Sequence, residues 1–480
     1  MSSPANDSHQ NSTNNITPSI TTNITTNIIT KYHRQIWAFA WPMMLANITV
    51  PLLGLVDTAV LGHLEHSGYL AGVAIGSNIF TFIFWAFGFL RMGTTGLIAQ
   101  AYGKQDPSQL LRTLTQSIGL ALLIGIAIIA NQIWLIPTAI TLMDGSQQTQ
   151  ALATTYCNIR IWGAPATLIQ YALIGTYIGL QKPKVSLVIL ISINLLNIIF
   201  DLWFVVLLEW NVAGVALATV LAEYIGVFIS LGYLYYYFYH HHQSSAGSFK
   251  ALINRHDLSK FFSVNGDIFI RTCCLLFVFA FFTSQGAKQG DIILAANAVL
   301  LTFLLLISNT LDGFANAAEA KIGEFVGKIE QEMFHQEGNF PENKSTTKQQ
   351  LIIFVRSAFQ WCVGFTVLLM LIFYLSGSSI ISLLTDINDV QETANQYLTW
   401  LILMPALSCL SYLYDGVFVG ATRTRSMRNI MVICLFGIFL PLWMLTQPYG
   451  NHGLWFSFSV FMLSRSVLMS VSYQRFLRSL

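Results

Sequence analysis

The chain has 480 residues, 54% of them hydrophobic and 10% charged, with a mean hydropathy of +0.59 and a formal net charge of +2. So little polar surface cannot clothe soluble domains of this length, which marks an integral membrane protein. The net charge by itself says nothing about nucleic acid, but no basic patch interleaved with aromatics occurs, so no nucleic-acid partner is expected.

Residues 1–30 are rich in Asn, Thr and Ser and have no basic start followed by an apolar core, so they read as a disordered polar tail and not a cleavable signal. From Ile36 onward, apolar runs of roughly 20 residues recur, each long enough to cross a bilayer. Period-two alternation is missing, so the spans are helices and not barrel strands. Twelve are expected, at 36–62, 69–101, 114–136, 151–180, 185–208, 211–239, 258–285, 291–325, 351–375, 393–422, 427–446 and 452–473. Of the 24 Lys and Arg, only Lys288 is placed in an outer loop and Arg160, Arg271 and Arg465 in span interiors, the others lying in inner loops or toward the inner ends of spans. The rest gather at one face, which the positive-inside rule places in the cytoplasm together with both termini. The opposite loops carry acids such as Glu65, Asp144, Glu209, Asp386 and Asp389.

The predicted organisation is a tail (1–30), a first six-helix bundle (31–240), a cytoplasmic linker (241–257) and a second six-helix bundle (258–480). A further polar stretch, Gln331 to Lys348, interrupts the second half. The six cysteines lie in predicted spans without a CxxC pair and read as packing residues. His240, His241 and His242 read as a polar loop tract, and no phosphate-binding P-loop occurs.

The halves are copies. An offset of 224 residues lays Leu70, Ala71, Ala74, Ile98, Gly103 and Lys104 on Leu294, Ala295, Ala298, Ile322, Gly327 and Lys328. An offset of 241 lays Tyr156, Tyr171, Gly175 and Gly179 on Tyr397, Tyr412, Gly416 and Gly420. An even number of crossings per copy gives both copies the same orientation, an arrangement common in secondary transporters with a cavity between the halves.

Two carboxylates break the apolar pattern of the first half at similar depth. Asp57 lies roughly 8 Å from the outer end of span one and Asp201 roughly 12 Å from that of span five, counting ~1.5 Å per residue. Asn197 is one turn inward of Asp201 on the same face, Thr219 of span six shares the layer, and Tyr156 enters it from span four. A charge in hydrocarbon costs several kcal/mol at least, so such acids mark ion or proton pathways. The offsets put Phe281 and Leu442 at the equivalent second-half positions, so the duplicated scaffold is asymmetric here and the first half is expected to bind the coupling ion.

Elsewhere, Asp267 and Arg271 have the i,i+4 spacing of a local ion pair. Asp312, Asn316 and Glu319 form a stripe near the inner end of span eight, with Arg91 at the inner end of span two, a possible cytoplasmic gate. Glu223 and Asp415 are intramembrane acids with no evident partner. Pro42 and Pro51 flank Asn47 in span one and allow it to bend. Phe80, Phe84 and Trp85 are candidates for an aromatic cavity wall.

The run from Trp41-Pro42 through Asp57-Thr58-Ala59-Val60-Leu61-Gly62, the segment Asn197 to Asp201, and Leu311 to Ala320 together resemble the multidrug and toxic compound extrusion (MATE) family in its DinF-like branch. The likeness runs from about residue 32 to the C-terminus. It implies an all-α integral membrane fold of two pseudo-symmetric bundles around a V-shaped cavity, in a bacterial inner membrane. It also implies efflux of amphipathic, often cationic compounds, driven by an inward cation gradient. By motif, Asp57, Asn197, Asp201 and Thr219 fall on the proton site of that branch, with Tyr156 nearby and Pro42 at the first-helix bend. H+ is the favoured coupling ion, with Na+ open because the same oxygens could coordinate it. The expected partners are small amphipaths and membrane lipid, with no cofactor or metal and a monomeric state. Two rivals are a flippase for a lipid-linked amphipathic precursor, which would call for a basic lateral groove, and an intramembrane transferase, which would call for a nucleophile and base in close array.

Overall fold

A computed structural model describes residues 28–49, 67–143, 146–241, 255–335 and 342–480, and every regular element among them is helical. The first half holds α1 (28–49), α2 (Ser67–Ala86), α3 (Phe89–Gly103), α4 (Pro107–Ala130), α5 (Gln132–Thr141), α6 (Gln147–Arg160), α7 (Ala164–Gly179), α8 (Pro183–Asp201) and α9 (Asn211–His241). The second holds α10 (Arg255–Ala287), α11 (Asp291–His335), α12 (Glu342–Leu384), α13 (Asn388–Gly420), α14 (Thr424–Val432), α15 (Leu440–Thr446) and α16 (Gly450–Ser479).

Local chemistry sets several boundaries. Asp106 accepts a hydrogen bond from Gln109 N at 3.0 Å with Pro107 in the first turn, so α4 starts where its orphan amides are satisfied. Ser146 caps α6 by accepting from Thr149 N at 3.2 Å. Span two breaks into α2 and α3 at Phe87–Gly88, and span four into α6 and α7 at the 3-10 turn Ile161–Gly163. α1 continues as helix through Pro42, which is buried.

Nine stretches among the described residues are long and apolar enough to cross a membrane, against the twelve spans the sequence pattern predicts. Arg160, Pro165 and Gln170 dilute α6–α7, which is not one of the nine. The stretch Thr424–Ser479, 56 residues, spans α14 to α16, which reverse at Gly450 (φ 55°) and pack on one another. α11 has 45 residues, about 67 Å at 1.5 Å per residue, so it extends well beyond a ~30 Å hydrocarbon layer.

The duplication is visible in the packing. Gly175 lies directly against the Arg91 backbone, and Gly416, its equivalent, lies against Ala315, the equivalent of Arg91. The same helix crossing therefore occurs twice, and neither site has room for a Cβ. The turns after α7 and α13 also match: Lys182 N donates to Tyr177 O at 2.8 Å and Arg423 N to Phe418 O at 2.9 Å. In each turn a residue with left-handed backbone, Gln181 (φ 64°) or Thr422 (φ 51°), closes the helix. The halves meet chiefly where α3 crosses α11, at the end of the molecule rich in Lys and Arg.

Candidate functional site

α8 and α9 are antiparallel neighbours, and their facing sides bring Asn197, Asp201 and Thr219 together. Asp201 and Asn197 are fully buried and Thr219 is half-buried. With its amide turned to satisfy both neighbours, Asn197 donates to Asp201 Oδ2 at 3.0 Å while its oxygen faces Thr219 Oγ1 at 3.1 Å and Thr219 N at 3.2 Å. Thr219 Oγ1 also donates to Val215 O at 3.0 Å. Asp201 is the last α-helical residue before a π-helical turn, Leu202–Leu207. Such wide turns are frequent at functional sites. In and around it, Phe204 stacks against Phe200, Trp203 and Trp210, with Trp203 and Trp210 half exposed, as aromatics are at a membrane–water boundary.

Asp57 lies outside the described residues. Tyr156 is buried in α6 with its ring against Gly76 of α2, one turn before Arg160.

Glu223, which has no evident partner in the sequence, is engaged by Arg160 through two bonds, Nη1 to Oε2 at 2.9 Å and Nη2 to Oε1 at 2.7 Å. Thr167 Oγ1 donates to Oε2 at 2.8 Å. The Arg160 guanidinium also rests on the rings of Phe84 and Phe80, 5.2 and 5.6 Å from their centroids. Phe80 and Phe84 are therefore buried supports of an ion pair, and only Trp85 of the proposed aromatic wall is exposed.

In the second half, the local Asp267–Arg271 pairing does not form. Asp267 takes Arg428 Nη1 at 2.6 Å and Thr424 Oγ1 at 3.0 Å, both from α14. Arg271 is bonded to Asp415 of α13, to which Arg465 of α16 also donates at 3.0 Å. Asp415 thus has partners after all. Helix spacing puts Asp267 and Arg271 on one face, but that face meets α13, α14 and α16, whose charges approach more directly.

The expected gate residues gather where α3 meets α11. Arg91 Nη1 donates to Asn316 Oδ1 at 2.7 Å, and Thr95 Oγ1, one turn along α3, donates to Arg91 O at 2.9 Å. Glu319 is buried and Asp312 half-buried, and among the described residues neither forms an ion pair with Arg91.

The basic end of the seam is held by groups that stand out less in the sequence. Gln100 Nε2 donates to Gly420 O and Thr422 Oγ1, each at 3.0 Å, and its Oε1 accepts from Lys260 Nζ at 3.1 Å. Gln181 Nε2 donates to Ala320 O at 2.8 Å. Ion pairs join Lys104 to Glu330 at 2.7 Å and Arg112 to Asp257 at 3.1 Å. Underneath, Gly103 lies on the Glu324 backbone and Gly327 on that of Gln100, a reciprocal contact of repeat-equivalent residues. In this conformation the halves are in backbone contact at that end. Among the described residues no group of three His, Cys, Asp or Glu side chains converges as a metal site would require.

The MatE family profile matches residues 42–203, a range that includes Asn197 and Asp201. The chain is 38% identical over 451 residues to DNA damage-inducible protein F of Escherichia coli (strain K12), with 94% of each chain covered. It is 20% identical over 416 residues to the multidrug export protein MepA of Staphylococcus aureus (strain MSSA476), covering 86% of this chain and 87% of that one. Its fold superimposes on the Vibrio cholerae MATE transporter VcmN in the bent form with a TM-score of 0.79 at 20% identity, covering 94% and 98% of the two chains.

Proposed function

Because this chain belongs to the multidrug and toxic compound extrusion family, we propose that it is a multi-pass secondary transporter of the inner membrane that expels amphipathic compounds, cations among them, by cation antiport. Its basic end faces the cytoplasm, and H+ is the coupling ion. The observation that carries this reading is the buried Asp201–Asn197–Thr219 cluster, which leaves a carboxylate among apolar helices beside an amide and a hydroxyl. Low dielectric penalises the ionised acid, so uptake of a proton relieves a cost that depends on how the surrounding helices pack. A proton can drive the cycle only if it binds the two conformations unequally. Asp201 lies at the start of a π turn where α8 packs on α9, so a repacking of those helices would change its surroundings directly, which supports this reading.

Alternating access then requires the seam between α3 and α11 to part, so that substrate enters from the cytoplasm, and to close again as it leaves outward. The three oxygens of the cluster would also suit Na+, which needs hard oxygen ligands. The test is uptake of a fluorescent cation into proteoliposomes under separately imposed proton and sodium gradients. Proton-driven uptake by the wild type, lost in Asp201→Asn with the variant still folded, supports the reading. Undiminished coupling in that variant overturns it, and uptake that follows sodium alone replaces the ion.

A further inference from the structure

The carboxylate of Glu223 grips both sides of a break in a membrane helix, one helical turn from the Asp201 cluster. We propose that Glu223 is the positioning residue that carries a change at Asp201 to the seam between α3 and α11, by tying α9 to the joint between α6 and α7. This rests on the coupling role given to Asp201 and adds the route by which the distant seam responds.

Thr219 and Glu223 are i and i+4 on α9, so the helix presents both on one face. Thr219 Oγ1 is 3.1 Å from the Asn197 side chain of the cluster. Glu223 meets the joint. Arg160 is the last residue of α6 and Thr167 lies in the first turn of α7, with the 3-10 turn Ile161–Gly163 between them. Glu223 accepts two bonds from Arg160, at 2.9 and 2.7 Å, and one from Thr167 at 2.8 Å. The next residue, Tyr224, donates to Trp162 O inside the turn at 2.9 Å. A Cβ on Gly163 would press on Arg160 Nη1 and Glu223 Oε2, so the turn is closely fitted to the pair. A guanidinium fork on a carboxylate has little play, and it transmits a displacement instead of absorbing it.

The second repeat has no such joint. The 241-residue offset puts Leu401 in the place of Arg160 and residues 402–404 in that of the turn, and α13 runs as unbroken α-helix from Asn388 to Gly420. Of these two equivalent helices, only the one beside the coupling cluster is jointed.

Short 3-10 stretches within a helix often act as hinges. Beyond this one, α7 has 16 residues, about 24 Å at 1.5 Å per residue, and it reaches the seam. Gly175 lies on the Arg91 backbone and Gly179 on Ile98, while Gln181, just past the helix end, bonds to Ala320 O of α11 at 2.8 Å. A tilt of about 5° at the joint moves that end by about 2 Å over such a length, enough to break a hydrogen bond. Phe80 and Phe84 of α2 brace the Arg160 guanidinium, so a displacement of α9 turns α7 against α6. The charged and titratable groups around the pair are Tyr156 of α6, Tyr171 of α7 and Tyr224 of α9, with Arg91 of α3 acting on Tyr171.

The experiment places spin labels at Ser108 and Met333 of the full chain in phosphatidylcholine–phosphatidylglycerol vesicles, and follows the ratio of long to short distances from mildly acid to mildly alkaline pH. One linked proton changes such a ratio by at most about tenfold per pH unit. Wild type should show a pH-driven change and Asp201→Asn none. Arg160→Met combined with Glu223→Gln removes the tie without leaving a lone charge, and should shrink the change about fivefold, the equivalent of a hydrogen bond lost on the route. Thr167→Val combined with Tyr224→Phe keeps the ion pair and releases the far side of the joint. It should also shrink the change severalfold, and it decides the matter if the first variant does not fold. A change as large as in wild type, in either folded variant, overturns the proposal. So does a ratio offset equally at every pH, which is the mark of a structural prop. A wild type without the pH-driven change, or an Asp201→Asn variant that keeps it, removes the coupling reading and this proposal with it.

Discussion

Gln181 and Thr422 stand at the same place in the two repeats, each with left-handed backbone, and each side chain bonds across the seam to the other half. Neither residue type adopts that backbone readily, which costs of order 1 kcal/mol or more per position. The geometry persists because the turn aims each side chain at its partner: Gln181 at Ala320 O, Thr422 at Gln100 Nε2.

Removing those bonds should favour the form that opens at the basic end. A neutral hydrogen bond contributes about 1 kcal/mol, or roughly fivefold in population. Spin labels at Ser108 and Met333, on opposite halves, should show a larger long-distance population in Gln181→Ala than in the parent, and larger again when Thr422→Val is added. Unchanged distance distributions would mean that the two side chains do not hold the seam.

A methyl group at Gly103 would meet the Glu324 backbone, which has no rotamer to yield. Overpacking of this kind costs about 1–3 kcal/mol. Gly103→Ala should therefore keep the basic end from closing and cut efflux severalfold with little loss of expression. Gly364→Ala, where a Cβ would meet nothing within 4 Å, serves as the comparison and should transport normally.

The Arg160–Glu223 pair lends itself to a double-mutant cycle in detergent. Removal of either partner from a buried pair leaves the other uncompensated and costs about 3–5 kcal/mol. Arg160→Met and Glu223→Gln should each lower the melting temperature strongly, and the double variant by less than their sum. Additive losses would show the two charges to be energetically independent despite their bidentate geometry.

Thr219→Val keeps the shape of the side chain and deletes its oxygen. With a proton as coupling ion, gradient-driven efflux should persist within about threefold, because Asp201 retains its bond from Asn197. A collapse comparable to that of Asp201→Asn would instead point to an oxygen-coordinated sodium ion, and transport at graded sodium concentrations separates the two cases.

The sequence pattern carried the helical class, the duplication and the Asn197–Asp201–Thr219 neighbourhood, because all three depend on periodicity and depth along single helices. It failed where partners come from distant segments. Spacing rules pair Asp267 with Arg271, yet Arg428 and Asp415 win because helix packing brings them closer than a neighbour on the same helix. Glu223 has no partner within reach along its own helix, because Arg160 is 63 residues away in the chain. Gln100 and Gln181 carry no charge and lie near helix ends, so nothing in composition separates them from ordinary interfacial amides. A useful signal was nevertheless present: Gln181 and Thr422 are related by the same 241-residue offset that aligns Gly175 with Gly416.

The reciprocal contact of Gly103 and Gly327 has a kinetic side. Main chain touching main chain has no side-chain torsions to freeze on meeting, so this contact adds little ordering cost beside that of the Gln, Lys and Arg side chains that bond around it. If the halves part and rejoin as proposed, the rotamer search on closing belongs to the surrounding side chains and not to the glycine contact itself, which is already in register when the helices meet.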